Sequence, residues 1–311
     1  MGVEPRELGV LERIQRKVLW LSTYMVHHAN SLRPNPDGTK IGGHQASSSS
    51  VVSLMTALYF RALRSGDVVA LKAHAAPAFY AIQYLRGRLS AEDLLTLRVF
   101  GGLQAYPSRR KNPGLVDLST GSMGLGAVAA TFGALATRYL VDHFGPGQRP
   151  ERIFVMVGDA ELDEGNVWEA LLEEVVPDLE RVVWIVDVNR QSLDRITPDA
   201  RWRQFRDMFA ANGWRVLELG WGARVRALFA RPGGAALQAR LDAMPNAEYQ
   251  GLLRLAPAEI RKAVITGPGG ETDPAIEGVL AGFSDAEVRA IVSDVGGHDL
   301  HEISRALDEV E

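Results

Sequence analysis

Cysteine is missing from all 311 positions. Its absence excludes disulfides, a thiol nucleophile and any cysteine-built metal centre, and it suits a cytoplasmic protein. An excess of basic residues is missing too. The formal net charge of −4 argues against broad nucleic-acid binding. Near the N-terminus, Glu4, Arg6, Glu7, Glu12 and Arg13 interrupt the apolar run that a signal peptide needs. One uncharged stretch, 118–137, has the length of a membrane span, roughly 20 residues. It nevertheless carries Ser119, Thr120, Ser122, Thr131, Thr137 and four glycines, and alanine is the commonest of its apolar members. That composition predicts a close-packed buried helix behind a glycine loop, and no membrane association.

Hydrophobic residues make up 46% and charged residues 23% of the chain, as in ordinary globular proteins, and the length suffices for a substantial core. Leu8, Leu11, Ile14, Val18, Leu21 and Met25 fall at helical spacing and predict an amphipathic helix over 7–29. Ser47 to Ser50 read as a loop and helix start before a second apolar helix through Leu63. Strand and helix patterns then alternate. Strands are expected at 68–71, 153–157, 182–188 and 214–219. Helices are expected near 76–86 and 91–99, from the glycine loop to about Phe144, and at 164–175 and 202–211. Ser90 with Asp93 forms a capping signature. This βαβ order predicts an α/β fold, a mostly parallel sheet with helices on both faces. Residues 223–309 read as mainly helical, with a loop at Pro268 to Pro274. No repeat or flexible linker divides the chain, so a single domain over 1–311 is expected.

Three groups of residues carry chemistry. The first is Gly158-Asp159-Ala160, after the apolar run Ile153–Val157, with Asn189 thirty positions on after Val182–Val186. Open parallel sheets bind ligands beyond the carboxyl ends of their strands. A carboxylate and an amide oxygen there suit a hard cation such as Mg²⁺ together with phosphate oxygens. Asp163 and Glu164 alone read as an acidic helix start, and the spacing from Asp159 does not fit a calcium-binding EF-hand loop. The second group is Thr120-Gly121-Ser122-Met123-Gly124-Leu125-Gly126. It suits amide groups facing a ligand at a helix start and, equally, tight helix packing. The third is the histidines: His44 lies in a Gly-Gly-His-Gln turn, and His74 lies just past a strand. A lone histidine is more often structural, but His74 gains weight from its strand-end position.

Together these residues resemble the thiamine-diphosphate-binding half of the transketolase superfamily, and within it the homodimeric bacterial pyruvate dehydrogenase E1 family. The matching segments are Gly42-Gly43-His44-Gln45-Ala46-Ser47, His74-Ala75-Ala76-Pro77 with Tyr80, Leu85-Arg86-Gly87-Arg88-Leu89 and Ser122 to Gly126. They continue through Gly158 to Glu164, Asn189 to Asp194, Gly213-Trp214 and Gly296-Gly297-His298-Asp299. They run in order from about residue 12 onward.

The resemblance implies that Asp159, Asn189 and the Gln191 carbonyl hold Mg²⁺ or Ca²⁺ against the diphosphate. It implies cofactor contacts from Ser122, Met123, Gly124, Leu125, Gly126, Gly158, Asp159, Ala160 and Glu161. His44 and His74 would line the active-site mouth, and Glu164 would lie near a subunit contact linking paired sites. Two departures stand out: Ala160 replaces the second glycine of Gly-Asp-Gly, and the pyrimidine-binding and C-terminal domains of the family are absent. A separate subunit carrying those domains is therefore expected, in an α₂β₂-like split enzyme. It would transfer a two-carbon unit from a 2-oxo acid or a ketose phosphate to a lipoyl or carrier thiol, or to an aldose. The alternative is an inactive thiamine-diphosphate-binding or regulatory module. The small-residue face Gly126, Ala130, Gly133, Ala134, Thr137 suits either an interface or the core.

Overall fold

The computed structural model describes residues 4–36, 38–145, 147, 152–179, 181–188, 191–192, 195–196, 199–267 and 269–310. Helix α1 spans Pro5–His27, starts on a proline in its first turn and ends in a π-type turn, His28–Leu32. Its Leu11, Val18, Leu21 and Met25 are buried, as the spacing requires. Helix α2 (Gln45–Ser49) contains most of the serine run. The serines thus belong to the expected helix start, with Ser50 just past its end, and Ser48 Oγ accepts a hydrogen bond from the Ala78 amide at 3.1 Å. Helix α3 is Val52–Ala57. Strand β1 (Val68–Ala70) leads to α4 (Ala76–Leu85) and α5 (Ala91–Leu94). Ser90 and Asp93 form the expected capping box. The helix expected to 99 stops early, and Arg98 takes a left-handed φ of 60° that a helix cannot contain.

Helix α6 (Leu125–Phe144), β2 (Ile153–Gly158), α7 (Gly165–Leu171) and β3 (Val182–Asp187) complete the central unit. The strands form one parallel sheet in the order β1-β2-β3, with Val68 opposite Ile153 and Ile153 opposite Val182. Alternate residues of β2 serve two cores. Phe154 and Met156 face a layer built from α1, α3 and α4. Ile153, Val155 and Val157 face Ala127, Ala130 and Ala134 of α6 and Val167 and Leu171 of α7. The small-residue face of α6 is therefore used inside the protein, where alanines let the helix lie close to the sheet. The opposite face leaves Leu125, Phe132, Tyr139, Leu140 and Phe144 exposed. Among the described residues no helix is long and apolar enough to cross a membrane.

Beyond β3, the short antiparallel pair β4 (Gln191–Ser192) and β5 (Arg195–Ile196) precedes α8 (Asp199–Ala211). The strand expected at 214–219 does not form among the described residues. The apolar members of that segment go different ways instead: the Trp214 ring lies 5.8 Å from Trp184 and 5.9 Å from Phe209, Val216 is exposed, and Leu219 packs against the core of α1, α3 and α4. The C-terminal region is helical, as expected: α9 (Ala223–Phe229), α10 (Gly234–Ala243), α11 (Asn246–Leu252), α12 (Pro257–Ile265), α13 (Pro274–Leu280) and α14 (Asp285–Val292). These six share their own core. The last helix, α15 (Leu300–Glu309), instead inserts Leu300, Ile303 and Leu307 into the core shared by α1 and α3.

Candidate functional site

At the carboxyl end of β2 the chain passes from Gly158 into a tight 3₁₀ turn, Asp159–Asp163. Asp159 is only 5% exposed, and its Oδ1 accepts a hydrogen bond from the Ala160 amide at 3.0 Å. Ala160 has no positive φ. Its methyl group therefore costs no backbone strain, and the departure from Gly-Asp-Gly is accommodated. Glu161, also buried, accepts from the Gly158 amide at 3.1 Å and from the Gly124 amide at 3.0 Å. One carboxylate thus ties the glycine loop to the strand end. Burial pushes Glu161 above the usual carboxylate range, while the two amides and nearby Lys72 pull it back.

Gly124 has φ +77°, and a Cβ there would meet Asn166 Oδ1 at 2.8 Å and Val167 Cγ2 at 2.9 Å. At Gly126 a Cβ would lie 2.8 Å from Thr120 Cγ2. Both glycines are thus required by packing of the protein on itself, which also sets the direction of the loop. Ser122 and Leu125 are exposed and Met123 is partly buried. The Asn166 Oδ1 and Thr120 Oγ1 atoms beside this loop are buried and have no hydrogen-bond partner. The left-handed loop and the buried Asp159 carboxylate are groups that could border a phosphate-bearing ligand and its metal ion.

Asn189 lies outside the described residues. The backbone of Gln191 is in β4, which packs against the Asp159–Asp163 turn, so the expected carbonyl and Asp159 belong to neighbouring segments. Among the described residues no group of three or more histidine, cysteine, aspartate or glutamate side chains is poised for a metal. The expected set has one carboxylate, one amide and one carbonyl, and requires no such group.

His44 and His74 come together, their ring centroids 4.0 Å apart and stacked. Tyr106 completes the cluster at 6.2 and 5.7 Å. His44 adopts φ +54° and ψ +48°, a left-handed conformation that is uncommon outside glycine and often marks a functional position. Burial, helped by Arg98, holds His44 below the usual imidazole range. Burial also pushes His74 down to about 4, with His44, Lys72 and Arg98 adding repulsion. Both rings are therefore neutral near pH 7, able to accept as well as donate a proton. Glu164 is exposed and sits beside the glycine loop, its Cβ 3.1 Å from the place a Gly124 Cβ would take.

The sequence reading missed Tyr106, Asn166 and Lys72, and gave Thr120 no role beyond opening the glycine loop. Only Lys72 left a signal, a single cation directly after an apolar strand. Its Nζ lies 2.7 Å from Asp187 Oδ2 at the end of β3.

Comparison with known proteins places these features in context. Residues 64–232 match the family described as transketolase, thiamine diphosphate binding domain. The pyruvate dehydrogenase E1 component of Mycobacterium tuberculosis is 28% identical over 315 residues, covering 97% of this chain and 33% of that protein. The Escherichia coli K12 pyruvate dehydrogenase E1 component is 27% identical over 318 residues, covering 99% and 34%. The chain thus spans about a third of the length of these curated relatives. In fold it is similar to the transketolase from Leishmania mexicana, with a TM-score of 0.57 at 19% identity over 96% of this chain and 46% of that one.

Proposed function

The chain belongs to the transketolase thiamine diphosphate-binding domain family, and from that premise we propose that it is the cofactor-holding subunit of a two-component thiamine-diphosphate-dependent enzyme. The observation that carries the reading is the strand-end cradle, in which Glu161 joins Gly124 to Gly158 beside the buried Asp159 carboxylate. Asp159, Asn189 and the Gln191 carbonyl would hold Mg²⁺ or Ca²⁺, and the 122–126 loop with Gly158 and Ala160 would border the diphosphate. Glu161 acts by holding the two backbone segments, since both its oxygens already accept amide hydrogen bonds.

Thiamine diphosphate, when bound, supplies the carbanion chemistry that no side chain can; the protein contributes position and electrostatics. His44 and His74, neutral and stacked, would orient a substrate oxygen and exchange a proton with it. The reaction would be two-carbon transfer: from a 2-oxo acid, which loses CO2, to a lipoyl arm whose disulfide is reduced as the thioester forms, or from a ketose phosphate to the carbonyl of an aldose. The pyrimidine-binding and C-terminal functions would come from a second subunit in an α₂β₂-like assembly. The outer face of α6 supports a subunit contact. Leu125, Ala129, Phe132, Ala136 and Tyr139 alternate by four and three positions, the spacing of a helix seam, and all five are exposed. Glu164, exposed at the start of α7, would lie near that contact.

Titration calorimetry of thiamine diphosphate with Mg²⁺, with and without the partner subunit, tests the reading. Binding is expected, and Asp159→Ala should weaken it at least about tenfold, or 1.4 kcal/mol. No binding in either arrangement would sink the proposal. Binding without turnover in the assembled pair would leave the inactive-module reading standing.

A further inference from the structure

Lys72 is 3% exposed, yet the cradle and the histidine cluster described above do not use it. It follows β1, and its ammonium reaches Asp187 at the end of β3, 2.7 Å away. In the sheet order β1-β2-β3 those strands are not neighbours. The side chain therefore crosses the carboxyl end of β2, bridging two strand spacings, or about 10 Å. Gly158 lies under this crossing: a Cβ there would come 3.1 Å from Lys72 Cε and 3.5 Å from Nζ. Glycine at the strand end thus makes room for the lysine stem. The network extends further. Ser50 Oγ donates to the same Asp187 oxygen at 2.6 Å, and Lys72 Nζ donates to the Ser47 carbonyl at 3.4 Å.

Three chain segments meet at this ion pair. The 44–50 segment carries His44, Lys72 just past β1 is two residues before His74, and the end of β3 is two residues before Asn189 in sequence. We propose that the Lys72–Asp187–Ser50 clamp is a positioning device that fixes the end of β3 beside Gly158 and couples the histidine side of the site to its strand-end side. The inference rests on the thiamine diphosphate reading for its ligand, though not for its geometry. The ammonium is already matched by a carboxylate, so its role is to hold the segment rather than to neutralise the diphosphate. Outer-shell partners of metal ligands commonly carry this kind of effect, about 10–100-fold in affinity.

Hydrogen exchange and calorimetry on the full chain test the clamp, using wild type, Lys72→Met and the neutral pair Lys72→Gln with Asp187→Asn. In Lys72→Met, exchange should rise in both 44–50 and 182–192 while 246–292 stays unchanged. Affinity for thiamine diphosphate with Mg²⁺ should fall about 10–100-fold. The neutral pair replaces the ion pair by an amide–amide hydrogen bond and should recover affinity to within about threefold of wild type. If Lys72→Met proves too unstable, Asp187→Asn alone serves in its place, with the same expected exchange pattern. Unchanged exchange in both segments would overturn the clamp. A neutral pair that binds as weakly as the single variant would also overturn it, assigning the effect to the lysine charge itself. A wild type that binds no cofactor either alone or with the partner subunit would instead defeat the proposed function, and the exchange arm would still decide the clamp.

Discussion

His74 shows how much of the site is set by single side chains and their surroundings. Burial first, and then His44, Lys72 and Arg98, push this imidazole from 6.5 down to about 4. A histidine whose value is lower folded than unfolded binds fewer protons in the native state between those limits. Its contribution to stability is therefore complete above about pH 6.5 and is lost as the pH falls toward 4. Thermal melts at pH 7 and pH 5 should show a smaller acid-induced drop in Tm for His74→Gln than for wild type. An equal drop in both proteins would refute the assignment. Glu161 shows the converse. It is a carboxylate with two backbone donors, so its value lies in joining two loops.

Among the elements, the junction of β1 and β2 is pinned at its amino end as firmly as the Lys72 clamp pins the other. Arg152 is buried, and its Nη2 donates to Asp67 Oδ2 and to the Ala62 carbonyl, each at 2.7 Å. Its guanidinium also lies 4.9 Å from the Phe154 ring centroid. Removing one partner of a buried pair leaves an uncompensated charge. Asp67→Ala should therefore cost about 3–5 kcal/mol in denaturant unfolding. Asp67→Ala combined with Arg152→Met should recover part of that loss; a double variant no more stable than the single would show that the charge is not the cause. The sheet is thus held by ion pairs at both ends of its strands and by apolar alternation between them.

At the scale of the whole molecule, two features of α6 divide its work. The alanine face is absorbed by the sheet, which accounts for the small residues without an interface. The outer face, with Phe132 and Leu140 exposed, is where a partner subunit would bury apolar surface. Phe132→Asp with Leu140→Asp should change the stability of the isolated chain by no more than about 0.5 kcal/mol per site. The same variant should abolish co-elution with the partner subunit in size-exclusion chromatography with light scattering. An undiminished complex would move the contact elsewhere. The C-terminal helices follow the same division: α9 to α14 keep a core of their own, while α15 joins the N-terminal layer.

The parallel strands, helix α6, the Ser90–Asp93 cap and the strand-end position of Gly158-Asp159 were legible in the sequence. Each depends on period, local hydrogen bonding or turn chemistry within a few residues. The same logic erred at 214–219, where Trp214 meets aromatic rings and Val216 is exposed instead of pairing with a strand, and at 95–99, where the helix has already ended at Leu94 and Arg98 is left-handed. Asn189 was singled out by its spacing alone. The pairing of Lys72 with Asp187 spans 115 positions, that of Ser50 with Asp187 spans 137, and the bond from Gly124 to Glu161 spans 37. By itself the sequence determined the α/β class and the strand end at which Gly158 and Asp159 lie. Only the tertiary structure decided which buried charges hold that edge together, because such partners are brought together by the path of the chain and leave no period to read.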